Sequence, residues 1–237
     1  ANGFVGSDPF ISRLSTSYQD PEVVFAVTSS GVMKTINFGE TWDLKSIAGT
    51  WNGSFWSGTD VEVSLANPRF VWAGGQMGNG GEIFVSSDWG ETFDPVPSFA
   101  NMGISTGLYS HPTEDSTAYV LFGMADAAKV IETKDLGQTW EDLTGLHLNV
   151  SGESSNGFPD VAVYSFLVMP HNTNIMWAGT DIGLVESIDA GESWKIVNSN
   201  LPKVSIWDMK LKDQGQIVLA THGRGVWTAY IDELKDY

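Results

Sequence analysis

Cysteine is absent from this chain of 237 residues, which excludes a disulfide framework, a thiolate metal site and a thiol nucleophile. Basic residues are also scarce: 12 Lys and Arg stand against 29 Asp and Glu, a formal net charge of −17. Nucleic acid is therefore not an expected partner, because binding a polyanion relies on a basic footprint. No apolar run approaches the roughly 18 residues of a membrane span, so none is expected. The N-terminus lacks the pattern of a signal peptide, so any export signal lies outside this chain.

What the sequence does contain is an internal repeat of one octapeptide, whose copies we call boxes 1 to 4. They are TINFGETW at Thr35–Trp42, SSDWGETF at Ser86–Phe93, TKDLGQTW at Thr133–Trp140 and SIDAGESW at Ser187–Trp194. Their third positions, Asn37, Asp88, Asp135 and Asp189, are separated by intervals of 51, 47 and 54 residues. This spacing fits one four-stranded propeller blade and is too long for a leucine-rich or ankyrin unit.

Each position of the octapeptide has a physical task in a unit of strand, tight turn and strand. The Asp or Asn accepts hydrogen bonds from backbone N–H groups of its own turn, and the Gly two residues later allows a positive φ. The final aromatic residue is expected to be a buried anchor between blades. The glycines are Gly39, Gly90, Gly137 and Gly191, and the aromatics are Trp42, Phe93, Trp140 and Trp194.

The pattern S-x-D-x-G-x-T-W resembles the Asp-box of bacterial neuraminidase-repeat propellers, sortilin-type receptor ectodomains, xyloglucanases and photosystem II assembly factors. The resemblance implies that each box lies on the hairpin between the third and fourth strands of a blade and serves folding. The run THGRGVW, preceded by NLPKVSIWDMKL, resembles the final blade of bacterial sortilin-like or glycosyl-hydrolase-like propellers.

The predicted fold is all-β, a single β-propeller domain over residues 1–237 with about five four-stranded blades. The blades are expected at about 11–44, 60–95, 103–142, 161–196 and 204–231, because short β-branched and aromatic runs alternate there with Asn-Pro, Asp-Pro and His-Pro turns. The last unit has three strands and no box. An N-terminal strand from residues 1–10 could complete it and close a ring of five. Alternatively, the chain is an arc of a larger ring, completed by residues outside it.

Long loops rich in Gly, Ser and Asn are the expected places for a binding site, because rigid scaffolds carry their sites on loops. The loop 45–59 holds Trp51, Phe55 and Trp56, which form either a platform for a sugar or peptide or a cover over the end of the ring. The loop 144–160 adds His147 and Phe158. These five residues are the candidate binding residues.

Glycoside hydrolysis needs two carboxyl groups flanking the scissile bond. Asp60, Asp160 and Asp208, at the beginnings of strands, are the candidate catalytic acids, and resemblance to xyloglucanases implies such a role for Asp60 and Asp160. Those enzymes place the pair between two propellers, however, and a second propeller is not present here. Sialidase chemistry is not expected either, since it needs three arginines around a carboxylate and the chain has only Arg13, Arg69 and Arg224 in total.

These observations favour a non-catalytic extracellular or cell-surface binding or scaffold propeller whose loop face recognises a protein or a glycan. The alternative is a glycoside hydrolase of the xyloglucanase type, or the C-terminal half of one. No cofactor and no metal is expected, because the four histidines lack the close spacing of metal ligands. Further blades or domains of the same polypeptide remain possible partners.

Overall fold

The computed structural model describes residues 11–51, 60–74, 82–97, 105–146, 153–212 and 215–235. Within these ranges the regular structure consists of twenty strands and one short 3₁₀ turn at Asp232–Leu234. None of the described segments forms a helix of the length and apolarity that crossing a membrane requires.

The strands form five sheets. The first has the order β1 (Ile11–Thr16), β2 (Val24–Thr28), β3 (Gly31–Thr35), β4 (Asp43–Leu44). The second contains β6 (Asp60–Val63), β7 (Val71–Gly74), β8 (Ile83–Ser86) and β9 (Thr92–Pro95), and β5 (Ser46–Ile47) joins β9 in parallel. The third is β10 (Ser105–Ser110), β11 (Ala118–Phe122), β12 (Val130–Thr133), β13 (Glu141–Asp142). The fourth is β14 (Val163–Val168), β15 (Met176–Thr180), β16 (Gly183–Ser187), β17 (Lys195–Ile196). The fifth has only β18 (Ile206–Leu211), β19 (Gln216–Thr221) and β20 (Gly225–Tyr230).

The chain divides into two compact units. Unit 1 comprises Ala1–Val120 with Glu132–Glu141, and unit 2 comprises Leu121–Ile131 with Asp142–Tyr237. The core of unit 1 is built from strands of the first and second sheets and includes Phe25, Val61 and Phe84. The core of unit 2 includes Met169, Ile206 and Leu219. Both cores consist of the branched and aromatic residues that favour a pleated, buried surface.

Every box forms the same turn between the third and fourth strands of its sheet. In box 3, the Thr139 N–H donates to Asp135 Oδ1 at 2.8 Å and the Thr139 hydroxyl donates to Oδ2 at 2.6 Å. Thr133 Oγ1 accepts from the Gly137 N–H at 2.8 Å and donates to the Asp135 carboxylate. The carboxylate therefore binds both ends of the turn. Boxes 2 and 4 repeat these bonds at Asp88 and Asp189. In box 1 Asn37 Oδ1 accepts from the Thr41 N–H, but the amide nitrogen of Asn37 donates to the Thr41 hydroxyl.

In boxes 2 and 3 the glycine packs against the preceding sheet, which is a second reason for its presence beside a positive φ. A Cβ on Gly90 would lie 2.3 Å from the Phe25 ring, and one on Gly137 would lie 2.5 Å from Val96. The residue before the glycine also has a positive φ, 67° at Trp89, although it is not glycine. The aromatic ends of the boxes differ in burial: Phe93 and Trp194 are buried, whereas Trp42 and Trp140 are half-buried.

Candidate functional site

Two first strands in unit 2 carry a β-bulge at the same place. The pairing of β14 with β15 shifts between Val163 and Ser165, and the pairing of β18 with β19 shifts between Ile206 and Asp208. The residue that has no Cα partner across the ladder is Tyr164 in β14 and Trp207 in β18. A bulge leaves one residue outside the ladder and re-aims its side chain, and bulges are frequent beside active sites.

The bulged residues belong to an aromatic group at the ends of the fourth and fifth sheets. The indole of Trp207 is 52% exposed and stacks on the imidazole of His222, with ring centroids 4.5 Å apart and planes inclined by 9°. The Tyr164 ring lies 6.2 Å from the indole at a tilt of 52°. His222 is held by its backbone, since its N–H donates to the Ser205 carbonyl. The His222 ring therefore contacts one face of the Trp207 indole, and about half of the Trp207 surface remains exposed to solvent.

Polar groups adjoin these rings. Asp181 lies in the two-residue turn between β15 and β16, where Thr180 Oγ1 donates to the Gly183 carbonyl and accepts from the Ile182 N–H. The Asp181 carboxylate accepts a hydrogen bond from Ser205 Oγ at 3.0 Å. Burial raises the pKa of Tyr164, and its hydrogen bond to the Asp181 carboxylate, with the charge of that group, raises it further. The hydroxyl of Tyr164 therefore remains protonated at neutral pH.

We call Tyr164, Asp181, Ser205, Trp207 and His222 the Trp207 cluster. It offers an exposed aromatic face for stacking beside an exposed carboxylate and hydroxyls for hydrogen bonding. Binding sites for small polar molecules and peptides combine these features, an apolar surface with a few placed polar groups. The described residues contain no group of three or more His, Asp or Glu side chains placed to hold a metal ion.

The sequence did not predict this cluster, because the candidate binding residues were sought on the long loops and Trp207 and His222 lie outside them. A signal does exist in the buried positions. Residues Ile206 and Met209 are both buried and are three apart, as are Val163 and Phe166. A regular strand repeats every two residues, so a spacing of three indicates a bulge between them.

The aromatic residues predicted for binding have other positions. Phe158 is 2% exposed and packs edge-on against Trp194 at 5.1 Å, which corrects the expectation that it lies on an open loop. Its turn is box-like: Ser154 Oγ accepts from the Phe158 N–H and donates to Asn156 Oδ1. This turn fills space next to box 4 and thereby buries the ring.

Trp51 is half-buried and covers the end of the first sheet. Its indole N–H donates to the Thr28 carbonyl at 3.1 Å, and its ring lies 5.5 Å from that of Phe84. Both contacts are with the protein's own core. The remaining predicted binding residues, Phe55, Trp56 and His147, lie outside the described residues.

Asp60, a candidate catalytic acid, is buried and bonded to its neighbours. Its Oδ1 accepts from Arg13 Nε at 3.1 Å and from the Val61 N–H, and its Oδ2 accepts from the Leu108 N–H at 2.9 Å. Burial raises the pKa of Asp60, and the Arg13 charge and these hydrogen bonds oppose the rise. One carboxylate therefore joins β1, β6 and β10, and both of its oxygens are occupied.

Asp160 neutralises a lysine that is completely buried. Lys129 Nζ lies 2.5 Å from Asp160 Oδ1 and donates to the Met124 carbonyl, and its side chain is 0% exposed. The Asp126 N–H donates to both oxygens of the same carboxylate. Burial opposes ionisation of Asp160, but the bonds from Lys129 and Asp126 outweigh it and lower the pKa. Asp208, the third candidate, is half-exposed and opposite Ala220 in β19.

Comparison with known proteins supports the fold. No protein-family model matches the chain. A xyloglucanase from Hypocrea jecorina is 26% identical over 156 residues, which is 64% of this chain and 17% of the enzyme. Among solved structures, the GH74 enzyme of Niastella koreensis matches with a TM-score of 0.71 at 15% identity, over 98% of this chain and 37% of that one. PorZ of Porphyromonas gingivalis, a bacterial surface component of the type-IX secretion system, matches with a TM-score of 0.63 at 16% identity, over 98% and 34%.

These likenesses confirm the all-β propeller fold predicted from the boxes and the similarity to xyloglucanase propellers in fold. The chain spans 17% of the length of the curated relative it matches and about a third of these two structures, 37% and 34%. The class of the protein is therefore a β-propeller, or an arc of one.

Proposed function

We propose that this chain is a non-catalytic, extracellular binding or scaffold propeller that recognises a protein or glycan through the Trp207 cluster. The observation that carries the proposal is the stacked pair of Trp207 and His222, with the indole 52% exposed. A large ring left half open to water is a loss of burial for a folded chain, and a ligand that covers it recovers that free energy.

The cluster fits a ligand with one flat apolar surface and polar groups at its edge. A sugar ring or an aromatic or planar peptide side chain can stack on the open indole face. The Asp181 carboxylate accepts hydrogen bonds, so it favours ligand hydroxyl or N–H groups. His222 supports the indole from behind and fixes its orientation, which reduces the entropy lost on binding.

The first experiment is a screen of the intact chain against a glycan array and a peptide library, followed by titration of each positive ligand. Trp207→Ala and His222→Ala are expected to weaken binding, Trp207→Ala by about tenfold, the loss typical of one stacking contact of about 1.4 kcal/mol. Tyr18→Ala is the control, because Tyr18 is an exposed aromatic residue of unit 1, with 75% exposure, and does not belong to the cluster. Equal binding by Trp207→Ala and the unmodified chain would refute the assignment of the site.

The second candidate function is a glycoside hydrolase, and the similarity to the Hypocrea jecorina xyloglucanase favours it. Of the three candidate acids, Asp60 and Asp160 hold structural bonds, whereas the Asp208 carboxylate makes no hydrogen bond or ion pair with the described residues. Incubation with xyloglucan distinguishes the candidates. Release of reducing sugar that is lost in Asp208→Asn would favour the hydrolase over the binding module.

We further propose that the five sheets are successive blades of one domain over residues 1–237. The fifth sheet has β20 as its last strand, whereas the first, third and fourth sheets each have a fourth strand there. Val226 and Tyr230 on β20 are 69% and 68% exposed, which supports coverage by one more strand. That strand comes either from residues 1–10 or from outside this chain.

An extracellular location is supported by the likeness to PorZ, a bacterial surface component.

A further inference from the structure

A second candidate site lies in unit 1, where box 2 meets the first sheet. A cavity of about 260 Å³ opens there, and its walls include Val23, Phe25, Pro68 and the indole of Trp89. Phe25 and Pro68 are buried, whereas Trp89 is 54% exposed. Sites for drug-sized ligands have volumes of about 300–1,000 Å³, so a cavity of this size suits a single side chain.

The indole of Trp89 is not needed by the turn that presents it. The equivalent position is Phe38 in box 1, Leu136 in box 3 and Ala190 in box 4, and all four residues have a positive φ between 53° and 67°. Ala190 demonstrates that a methyl group is sufficient for this conformation. The positive φ belongs to the turn in every box, so the size of the Trp89 side chain is not explained by the turn.

The two charged residues that line the cavity differ in exposure and in ion pairing. Lys34 lines the wall with a side chain only 8% exposed, and its Nζ is held by the Trp89 carbonyl at 2.7 Å and by Glu91 Oε1 at 2.6 Å. Asp20 also lines the cavity, but it is exposed and makes no ion pair with any residue in the described part of the chain. Of the two charged residues that line the cavity, Asp20 is therefore the accessible one, and its charge is negative.

We propose that this cavity binds a lysine or arginine side chain of a partner protein. The aliphatic stem packs against the apolar walls and the indole face of Trp89, and the cation reaches the Asp20 carboxylate. Long basic side chains combine an apolar stem with a charged end, and tryptophan is the aromatic residue that attracts cations best. The net charge of −17 favours the approach of a basic partner. This site is separate from the Trp207 cluster and does not depend on it.

The test uses the full chain and short peptides as probes, read by the NMR signal of the Trp89 indole N–H. Acetyl-Gly-Lys-Gly-amide and its arginine counterpart are expected to shift this signal saturably, with Kd values of about 1–10 mM for a single side chain. The norleucine peptide, which keeps the stem but lacks the charge, is expected to bind more weakly. Equal binding of the lysine and norleucine peptides, or stronger binding of a glutamate peptide, would overturn the proposal.

Single substitutions test whether Asp20 and Trp89 form the binding site for the lysine peptide. Asp20→Asn is expected to weaken lysine-peptide binding roughly two- to fivefold, the effect of losing one exposed ion pair. Trp89→Ala reproduces the natural residue of box 4 and is expected to weaken binding roughly tenfold, read from the remaining backbone amide signals. Phe38→Ala is the matched control, because Phe38 has the same position in box 1 and is 68% exposed. Unchanged affinity in Asp20→Asn, or an equal loss in Phe38→Ala, would refute the site. If Trp89→Ala fails to fold, Asp20→Asn decides alone, because Asp20 is a surface residue.

Discussion

Replacement of Asp160 by alanine should strongly destabilise unit 2. Lys129 is 0% exposed, and the Asp160 carboxylate, whose side chain is 19% exposed, is its ionic partner at 2.5 Å. Removing one partner of a buried ion pair leaves an uncompensated charge and typically costs about 3–5 kcal/mol. Domains have a total stability of about 5–15 kcal/mol, so this loss is a large fraction. For a chain of this size it corresponds to a decrease in Tm of roughly 6–20 °C.

The assay is thermal and urea unfolding at pH 7, with two controls. Asp232→Ala breaks the exposed pair of Asp232 and Lys235, with side chains 82% and 60% exposed, and should cost less than about 1 kcal/mol. The double variant Lys129→Met with Asp160→Leu should recover much of the stability, because it removes the buried charge itself. A loss in Asp160→Ala no greater than that in Asp232→Ala would refute the reasoning.

Two more predictions concern the boxes. Gly90→Ala should destabilise the protein more than Gly223→Ala. Both glycines have similar φ values, 75° and 82°, so the backbone strain is comparable. Only the new methyl group at Gly90 meets the Phe25 ring, at 2.3 Å, whereas the position at Gly223 is open. Equal losses of unfolding free energy would contradict the packing argument. Burial opposes ionisation of Asp88, yet hydrogen bonds from Thr92 and other turn groups lower its pKa to about 2. The stability this carboxylate adds is therefore complete above the unfolded pKa of about 3.9 and is lost as the pH falls through about 2, and Thr92→Ala should raise the pKa measured by NMR titration.

The fold could be predicted because the repeat carries its own local chemistry. The side chain of Asp135 and the backbone freedom of Gly137 determine a turn within eight residues, so the turn is readable without knowledge of tertiary contacts. The close approach of Gly90 to Phe25 was not predictable in this way, because it depends on how one sheet packs on another. The positive φ of Trp89 was also missed, since the residue type gives no sign of it.

The candidate sites were much harder to predict from the sequence. Loop composition suggested Phe158 as a binding residue, but an additional box-like turn around Ser154 and Asn156 buries its ring. Asp160 was selected as an acid at a strand beginning, and only the fold shows that its charge is used by Lys129, 31 residues earlier. Trp207 was passed over because alternation along a strand cannot reveal a bulge unless its buried neighbours are known.

The bulges give the repeat a position where sequence can vary at low structural cost. In the first sheet, the pairing of β1 with β2 shifts between Ile11 and Arg13, so Ser12 has the place that Tyr164 and Trp207 have in unit 2. A residue outside the ladder does not have to match a partner across it, and the same bulge carries serine, tyrosine or tryptophan in these three strands. An aromatic residue placed at Ser12 would therefore give unit 1 a side chain of the kind that Trp207 provides in unit 2.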